Sequence, residues 1–181
     1  IWKGDFAYEL LKLNDLAKKL REDRFKNGSI AFERIEIKFK LDENGKPLSV
    51  YSREAKESNI LIEELMLLAN RRIARYIGQR ANHKRSKTFV YRIHDKPDTD
   101  KLESFNSFIH RFGYNLQLTT PRAVSRSLNN LLQKVKGKKE QNVVETLAVR
   151  SMAKAEYSTR NIGHYGLAFD YYTHFTSPIR R

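Results

Sequence analysis

The sequence predicts an α+β fold, rich in helix, with a β-hairpin and short strands. Three observations predict it. Apolar residues recur at helical spacing in the segments 7–25, 58–78 and 99–112. Between the first two of these, apolar and charged residues alternate on one side of Asn44-Gly45, the pattern of a strand entering a tight turn. Finally, 40% of the 181 residues are hydrophobic and 11% aromatic, enough to bury a sizeable core and to set disorder aside.

Taken in order, residues 7–25 carry Leu10, Leu13, Ala17 and Leu20 on one face of an amphipathic helix. Asp5 is placed to cap its start and Asn27-Gly28 to end it. In the hairpin, Ile35, Ile37, Phe39 and Leu41 alternate with Glu36, Lys38 and Lys40, which reads as a half-buried strand. Asn44-Gly45 turns the chain and residues 48–51 return. Residues 58–78 form the most apolar segment, with Ile62, Leu65, Met66, Ala69, Ile73 and Ile77 in helical register. Leu67 and Leu68 spread apolar character to further faces, so this helix is expected at the centre. Residues 89–93 read as a short strand before the turn His94-Asp-Lys-Pro97. A helix over 99–112 follows, with Leu102, Phe105, Ile109 and Phe112 on one face and a stop at Gly113. Thr120-Pro121 supplies an N-cap and a first-turn proline for a helix to residue 135. A loop at 136–139 precedes the last helix, expected over 140–156.

Composition narrows the function classes. Thirty-five Lys and Arg against 21 Asp and Glu leave a net charge of +14, which favours a polyanionic partner through phosphate neutralisation and counterion release. The charge concentrates between Arg71 and Arg92, where no acidic residue intervenes. Cysteine is absent, which excludes a disulfide partner, thiolate nucleophiles and Cys-ligated metal, and fits a reducing cytoplasmic setting. No apolar run approaches the roughly 20 residues of a membrane span, so no membrane is expected as a partner. Lys3, Asp5 and Glu9 interrupt the apolar residues at the start, which is unlike a signal peptide.

Two strings carry more than composition does. The last nineteen residues, from Gly163, set two His, five aromatics, a Ser-Pro turn and an Arg pair side by side. Hydroxyls, imidazoles and guanidinium groups beside flat rings are groups that grip phosphates and stack on bases. Within this stretch, His164-Tyr-Gly-Leu-Ala and Tyr172-Thr-His-Phe-Thr-Ser-Pro-Ile-Arg-Arg181 resemble the signature of the ribonuclease II / ribonuclease R family, whose catalytic core is the RNB domain. Ile62-Glu-Glu-Leu-Met-Leu-Leu-Ala-Asn70 resembles a second motif of that family. The resemblance implies that residues 1–181 are a fragment of a single RNB catalytic domain, its C-terminal part, with an Asp-rich metal site upstream and the remainder downstream. It implies further that the parent is a hydrolytic 3′→5′ exoribonuclease, degrading single-stranded RNA to nucleoside monophosphates with Mg²⁺.

The same resemblance assigns the site residues. Arg180 follows the Ser177-Pro178 turn, and a guanidinium there is suited to hold a phosphate bidentately while charge develops. The family places an essential, phosphate-contacting Arg at this point, so Arg180 is the expected catalytic residue, with Arg181 beside it as an RNA contact or as basic scaffolding. Glu63 takes the family's ribose-approaching role, and Glu64 is left as a surface or ion-pair residue. Phe32 lies off the parity of residues 35–41 and has two readings: a ring that stacks on the terminal base, as the family implies, or a core Phe beyond a bulge. His164 and His174 are expected to orient their motif by hydrogen bonds, since a metal generates the nucleophile. His83, His94 and His110 show no convergent partners, and Tyr171 and Tyr172 default to packing.

No metal ligands are expected in this chain. Asp98-Thr99-Asp100 is its one Asp-x-Asp, and helix capping accounts for it. The Mg²⁺ ligands are therefore expected upstream of residue 1, and the fragment alone is expected to be inactive. Two alternatives of other classes stand beside the enzyme: a non-catalytic RNA-binding module, and a basic structural or assembly protein.

Overall fold

A computed structural model of the chain describes residues 4–31, 36–53, 56–80 and 88–176. The element order is α1 (Ala7–Lys26), β1 (Glu36–Leu41), β2 (Pro47–Arg53), α2 (Glu57–Arg80), β3 (Tyr91–Ile93), α3 (Thr99–His110), α4 (Pro121–Val135), α5 (Gln141–Ser151) and β4 (Glu156–Ser158). A 3₁₀ turn over Tyr165–Leu167 follows β4. The α+β expectation holds, with two small antiparallel sheets, β1–β2 and β3–β4.

Local chemistry explains where these elements start and stop. The Asp98 side chain accepts from the backbone N–H of Asp100 and Lys101, satisfying two of the donors a helix start leaves over, so this Asp-x-Asp is the cap of α3. Thr120 does the same for Ala123 at the start of α4, with Pro121 in the first turn. Asp5 caps nothing: α1 begins after Phe6, and no side chain bonds into its first turn. That leaves Asp5 one position outside the capping site. At the other end Gly28 takes φ +104°, which lets the N–H of Ser29 return to the carbonyl of Arg24 at 3.1 Å. In the hairpin, Gly45 sits at φ +80° and the Asp42 carboxylate accepts from the N–H of Asn44 and Lys46.

The main core lies between α3, α4 and α5. Leu102, Phe105 and Ile109 of α3 meet Val124, Leu128, Leu131, Leu132 and Val135 of α4 and Val144 and Ala148 of α5, with Ile30 and Leu116 closing the edges. Phe112, expected on the buried face of α3, is 44% exposed because the helix stops at His110. A second, smaller core joins Leu67 of α2 to Phe169 and Tyr172.

Three further expectations are corrected. The apolar face of the hairpin is not half-buried: Phe39, Leu41, Leu48 and Val50 are all exposed. Alternation guarantees an apolar face, but burial needs a second layer, and none of the described residues supplies one. In α2 the buried stripe is Leu61, Glu64, Leu67, Asn70 and Ala74, while Ile62 is 65% exposed. The stripe thus contains two polar residues that an apolar pattern skips. The last helix ends at Ser151 instead of residue 156, because Met152 turns extended and the chain pairs as β4 with β3, Tyr157 opposite Arg92.

Candidate nucleic-acid interface

The two strings singled out in the sequence meet in space, and the meeting starts from α2. Glu64, on its buried stripe, is 2% exposed and forms an ion pair with Arg24 of α1, itself 6% exposed. Arg24 also donates to the Ser29 hydroxyl at 2.8 Å, and Arg21 approaches the same carboxylate at 3.6 Å. Glu64 is therefore an interior ion-pair residue and not a surface one. Its neighbour Glu63 points outward, with a side chain 47% exposed and a carboxylate oxygen 3.8 Å from Arg24 Nη2. The two glutamates are split by the roughly 100° that separates successive helical positions.

Beside this pair opens a cleft of about 310 Å³ between α1, α2 and the turn at 168–170. Arg24, Glu64, Arg71 and Asp170 give it a charged lining, and Phe169 an aromatic one. The Arg71 guanidinium lies 4.8 Å from the centre of the Phe169 ring, a cation–π contact that holds both groups at the cleft. Arg72 and Arg75 extend the positive charge along the exposed side of α2.

The turn that presents Phe169 is built by histidines. His94, just past β3, donates through Nε2 to the Ala153 carbonyl, 2.8 Å away, and its Nδ1 accepts from the Gly166 N–H at 2.9 Å. A Cβ on Gly166 would stand 2.9 Å from that Nδ1, so only glycine allows the approach. The His164 ring packs against His94 at 4.9 Å and its Nδ1 accepts from the Leu167 N–H at 3.3 Å. Burial, then the neighbouring His94, pushes the His164 pKa down to about 3, so this ring is neutral at physiological pH. It orients its motif by hydrogen bonding, as expected. His94, by contrast, has the partners that sequence reading denied it, because they come from residues 59 and 72 positions away.

The segment after Tyr171 runs along β3. Arg92 N–H donates to the Tyr172 carbonyl at 2.9 Å and the Thr173 hydroxyl donates to the Val90 carbonyl at 2.8 Å. Tyr172 is 3% exposed and packs as expected. The Tyr157 hydroxyl lies 2.7 Å from His174 Nδ1, and the Arg92 guanidinium sits over the Tyr157 ring at 4.6 Å. One residue further, Asn70 of α2 takes hold of this segment: its Oδ1 accepts from the N–H groups of Phe175 and Thr176, both at 3.0 Å.

Of the residues the sequence proposed, Glu63 lies exposed on α2, seven positions before Asn70 and beside Arg24. Phe32, Arg180 and Arg181 lie outside the described residues. Arg24, Asn70, His94 and Tyr157 belong to the assembly and were not proposed as site residues. A signal existed only for Asn70, which closes the 62–70 string. Among the described residues no group of three or more His, Asp or Glu is arranged to hold a metal ion, and the Asp98 carboxylate is spent on capping α3. These residues do not fit a Mg²⁺ site.

Comparison with known proteins gives this geometry a context. The RNB domain family matches residues 3–181. Ribonuclease R 1 of Lactococcus lactis is 35% identical over 178 residues, covering 98% of this chain and 21% of its own length. Ribonuclease R of Thermotoga maritima is 39% identical over 168 residues, 92% of this chain and 23% of that protein. The chain thus spans about a fifth to a quarter of these relatives. Among solved structures, Mycoplasma genitalium RNase R in complex with ribose-methylated single-stranded RNA superposes with a TM-score of 0.83 at 25% identity, covering 99% of this chain and 28% of that one. Yeast Ssd1, a pseudonuclease, shares the fold with a TM-score of 0.65 at 21% identity, covering 100% of this chain and 22% of its own.

Proposed function

The chain belongs to the RNB domain family, and from that membership we propose that it is part of a hydrolytic 3′→5′ exoribonuclease that degrades single-stranded RNA to nucleoside monophosphates in the cytoplasm. The observation that carries this reading is the contact between the two strings: Asn70 of the first bonds the backbone of Phe175 and Thr176 in the second. Arg72 and Arg75 on the exposed side of α2 support an RNA contact there, while the cleft itself mixes Arg24 and Arg71 with Asp23, Glu64 and Asp170.

In this reading Arg180 holds the scissile phosphate through both prongs of its guanidinium and stabilises charge that grows toward the transition state. Arg181 adds an RNA contact, Phe32 stacks on the terminal base, and Glu63 approaches the terminal ribose. The 47% exposure of Glu63 supports its role, and its carboxylate shares Arg24 with the buried Glu64. In this reading a Mg²⁺ ion, held by carboxylates outside the described residues, would supply the activation of water.

The test uses the full-length protein that contains this chain. Arg180→Ala is expected to lower single-turnover cleavage of RNA by about 10²–10³-fold, the usual loss for one preorganised donor. Binding of a non-hydrolysable RNA is expected to weaken far less, because only an interaction stronger in the transition state accelerates chemistry. Arg180→Lys is expected to rescue poorly, since an ammonium keeps the charge and loses the planar fork. Equal losses in rate and binding would make Arg180 a positioning contact. A full-length protein that binds RNA without cleaving it would favour the non-catalytic module; the same fold occurs in yeast Ssd1, a pseudonuclease.

A further inference from the structure

We propose that Arg92, held by Tyr157 and His174, contacts one backbone phosphate of a single-stranded RNA on the outer face of the β3–β4 sheet; the choice of RNA rests on the exoribonuclease reading above. Strand geometry puts these groups together. β4 pairs with β3 along one edge, with Tyr157 opposite Arg92. Along the other edge the Arg92 N–H donates to the Tyr172 carbonyl at 2.9 Å. With its N–H turned to that side, Arg92 forms a non-hydrogen-bonded pair with Tyr157, the kind in which facing side chains stand closest. The guanidinium accordingly lies 4.6 Å from the centre of the Tyr157 ring. Tyr157 is 48% exposed, whereas Tyr91, one position from Arg92 and so on the opposite face, is 7% exposed.

What distinguishes this arginine is that it is oriented without being neutralised. The Tyr157 hydroxyl lies 2.7 Å from His174 Nδ1, and the His174 ring stands perpendicular to that of Tyr172, 5.6 Å between centres. Tyr172 belongs to the smaller core, so the ring beneath the guanidinium is tied to the interior. No carboxylate pairs with Arg92 among the described residues, whereas Arg24 is matched by Glu64. Glu156 adjoins Tyr157 in β4, but it stands opposite Ile93 and so on the face of Tyr91. The field at this spot is positive: after burial and His94, Arg92 and His174 add to the lowering of the His164 pKa. A guanidinium stacked on a ring has used its flat face and kept its N–H groups, which form a fork in the plane. A phosphodiester offers paired oxygens that match that fork, one such group per nucleotide.

The experiment measures binding of the full-length protein to a ribose-methylated single-stranded RNA oligonucleotide, without divalent metal, as salt is raised. Arg92→Gln is expected to weaken binding roughly tenfold at low salt, the scale of one hydrogen-bonded contact to a charged group. It is also expected to shorten the slope of log affinity against log salt by about 0.7, one phosphate on a single strand. Arg92→Lys is expected to keep the slope and recover only part of the affinity, because an ammonium keeps the charge and loses the fork. Replacing the phosphates one at a time by neutral methylphosphonates locates the contact. One position is expected to cost the wild type affinity and to cost Arg92→Gln little more, since the two changes remove the same interaction. Unchanged affinity and slope in Arg92→Gln would overturn the proposal. A fall in affinity with the wild-type slope, or equal methylphosphonate penalties in both proteins at every position, would also overturn it, because Arg92 would then be a structural residue of the sheet. A wild-type protein that binds this oligonucleotide but cleaves no RNA with Mg²⁺ would sink the exoribonuclease reading alone, and the slope and the scan would still decide Arg92.

Discussion

At the scale of single residues, the polar ones inside helices decide how this chain is held together. Glu64 looks like any exposed glutamate in a helix that also offers Glu63, Leu65 and Met66, yet it is the partner of buried Arg24. A buried pair of this kind is costly to desolvate and damaging to break, and here it ties α1 to α2. Neither burial nor partner was legible in the sequence, because the two residues are 40 positions apart and each is ordinary in its own segment. His164 was legible as a motif residue, and its environment gives a measurable consequence. Its folded pKa is lowered from 6.5 to about 3, first by burial and then by His94. Between those values the unfolded chain binds a proton that the folded chain refuses. The contribution is therefore neutral above about pH 6.5, grows more destabilising as pH falls, and levels off below about pH 3. The slope is at most about 1.4 kcal/mol per pH unit. His164→Asn, which retains an acceptor for the Leu167 N–H, is expected to flatten the acid side of the stability profile relative to wild type. Parallel unfolding profiles for the two proteins from pH 7 to pH 4 would show that His164 is not the group responsible.

At the scale of elements, the capped helices were readable and the uncapped ends were not. Asp98 and Thr120 act as caps where the sequence put them, and α4 ends at Val135 as expected. The last helix overran in the reading because nothing local marks Ser151 as a stop. The stop comes from β3, which offers an open edge to residues 156–158. The hairpin shows the complementary failure: its strands and turn were legible, its burial was not, since a pattern says which face is apolar and not what covers it. Close approaches between elements are also invisible in one sequence, and Gly78 is the clearest case. Within a helix, replacing Gly by Ala ordinarily stabilises by up to about 1 kcal/mol, and Gly78 lies in the last turn of α2. Here the added Cβ would run into the Tyr171 ring, with Cδ1 at 2.6 Å, and stand 2.9 Å from the Tyr91 hydroxyl. Tyr91 is 7% exposed and has little room to retreat. Overpacking of this kind typically costs about 1–3 kcal/mol, which outweighs the propensity gain. Gly78→Ala is expected to lower the thermal midpoint, whereas Gly137→Ala has open space around it and is strained only by its φ of +78°. A Gly78→Ala protein more stable than wild type would mean that Tyr171 swings aside freely and that α2 does not depend on this contact.

At the scale of the whole molecule, charge and geometry point in one direction and differ in what they specify. The net charge of +14 was legible at once, and it favours a polyanionic partner without identifying a reaction. What the charge lacks is supplied by the junction of α2 with residues 172–176, where hydrogen bonds fix groups in place. Among the described residues no group of carboxylates is arranged to hold a metal ion, and binding and cleavage of RNA by the isolated chain can be measured separately. The isolated chain is expected to bind single-stranded RNA with an affinity that falls steeply with salt. The logarithm of the association constant should decline linearly with the logarithm of salt concentration, by about 0.7 for each phosphate neutralised on a single strand. Arg71, Arg72 and Arg75 lie along one helix, with Arg72 and Arg75 exposed, so replacing the latter two by Gln is expected to shorten that slope by about 1–2. In the same solutions, with Mg²⁺ or Mn²⁺ present, the isolated chain is expected to release no mononucleotides from end-labelled RNA. Affinity that is equal at low and high salt would mean that the basic face is not the binding surface. Mononucleotide release that a chelator abolishes would mean that the chain assembles a metal site of its own.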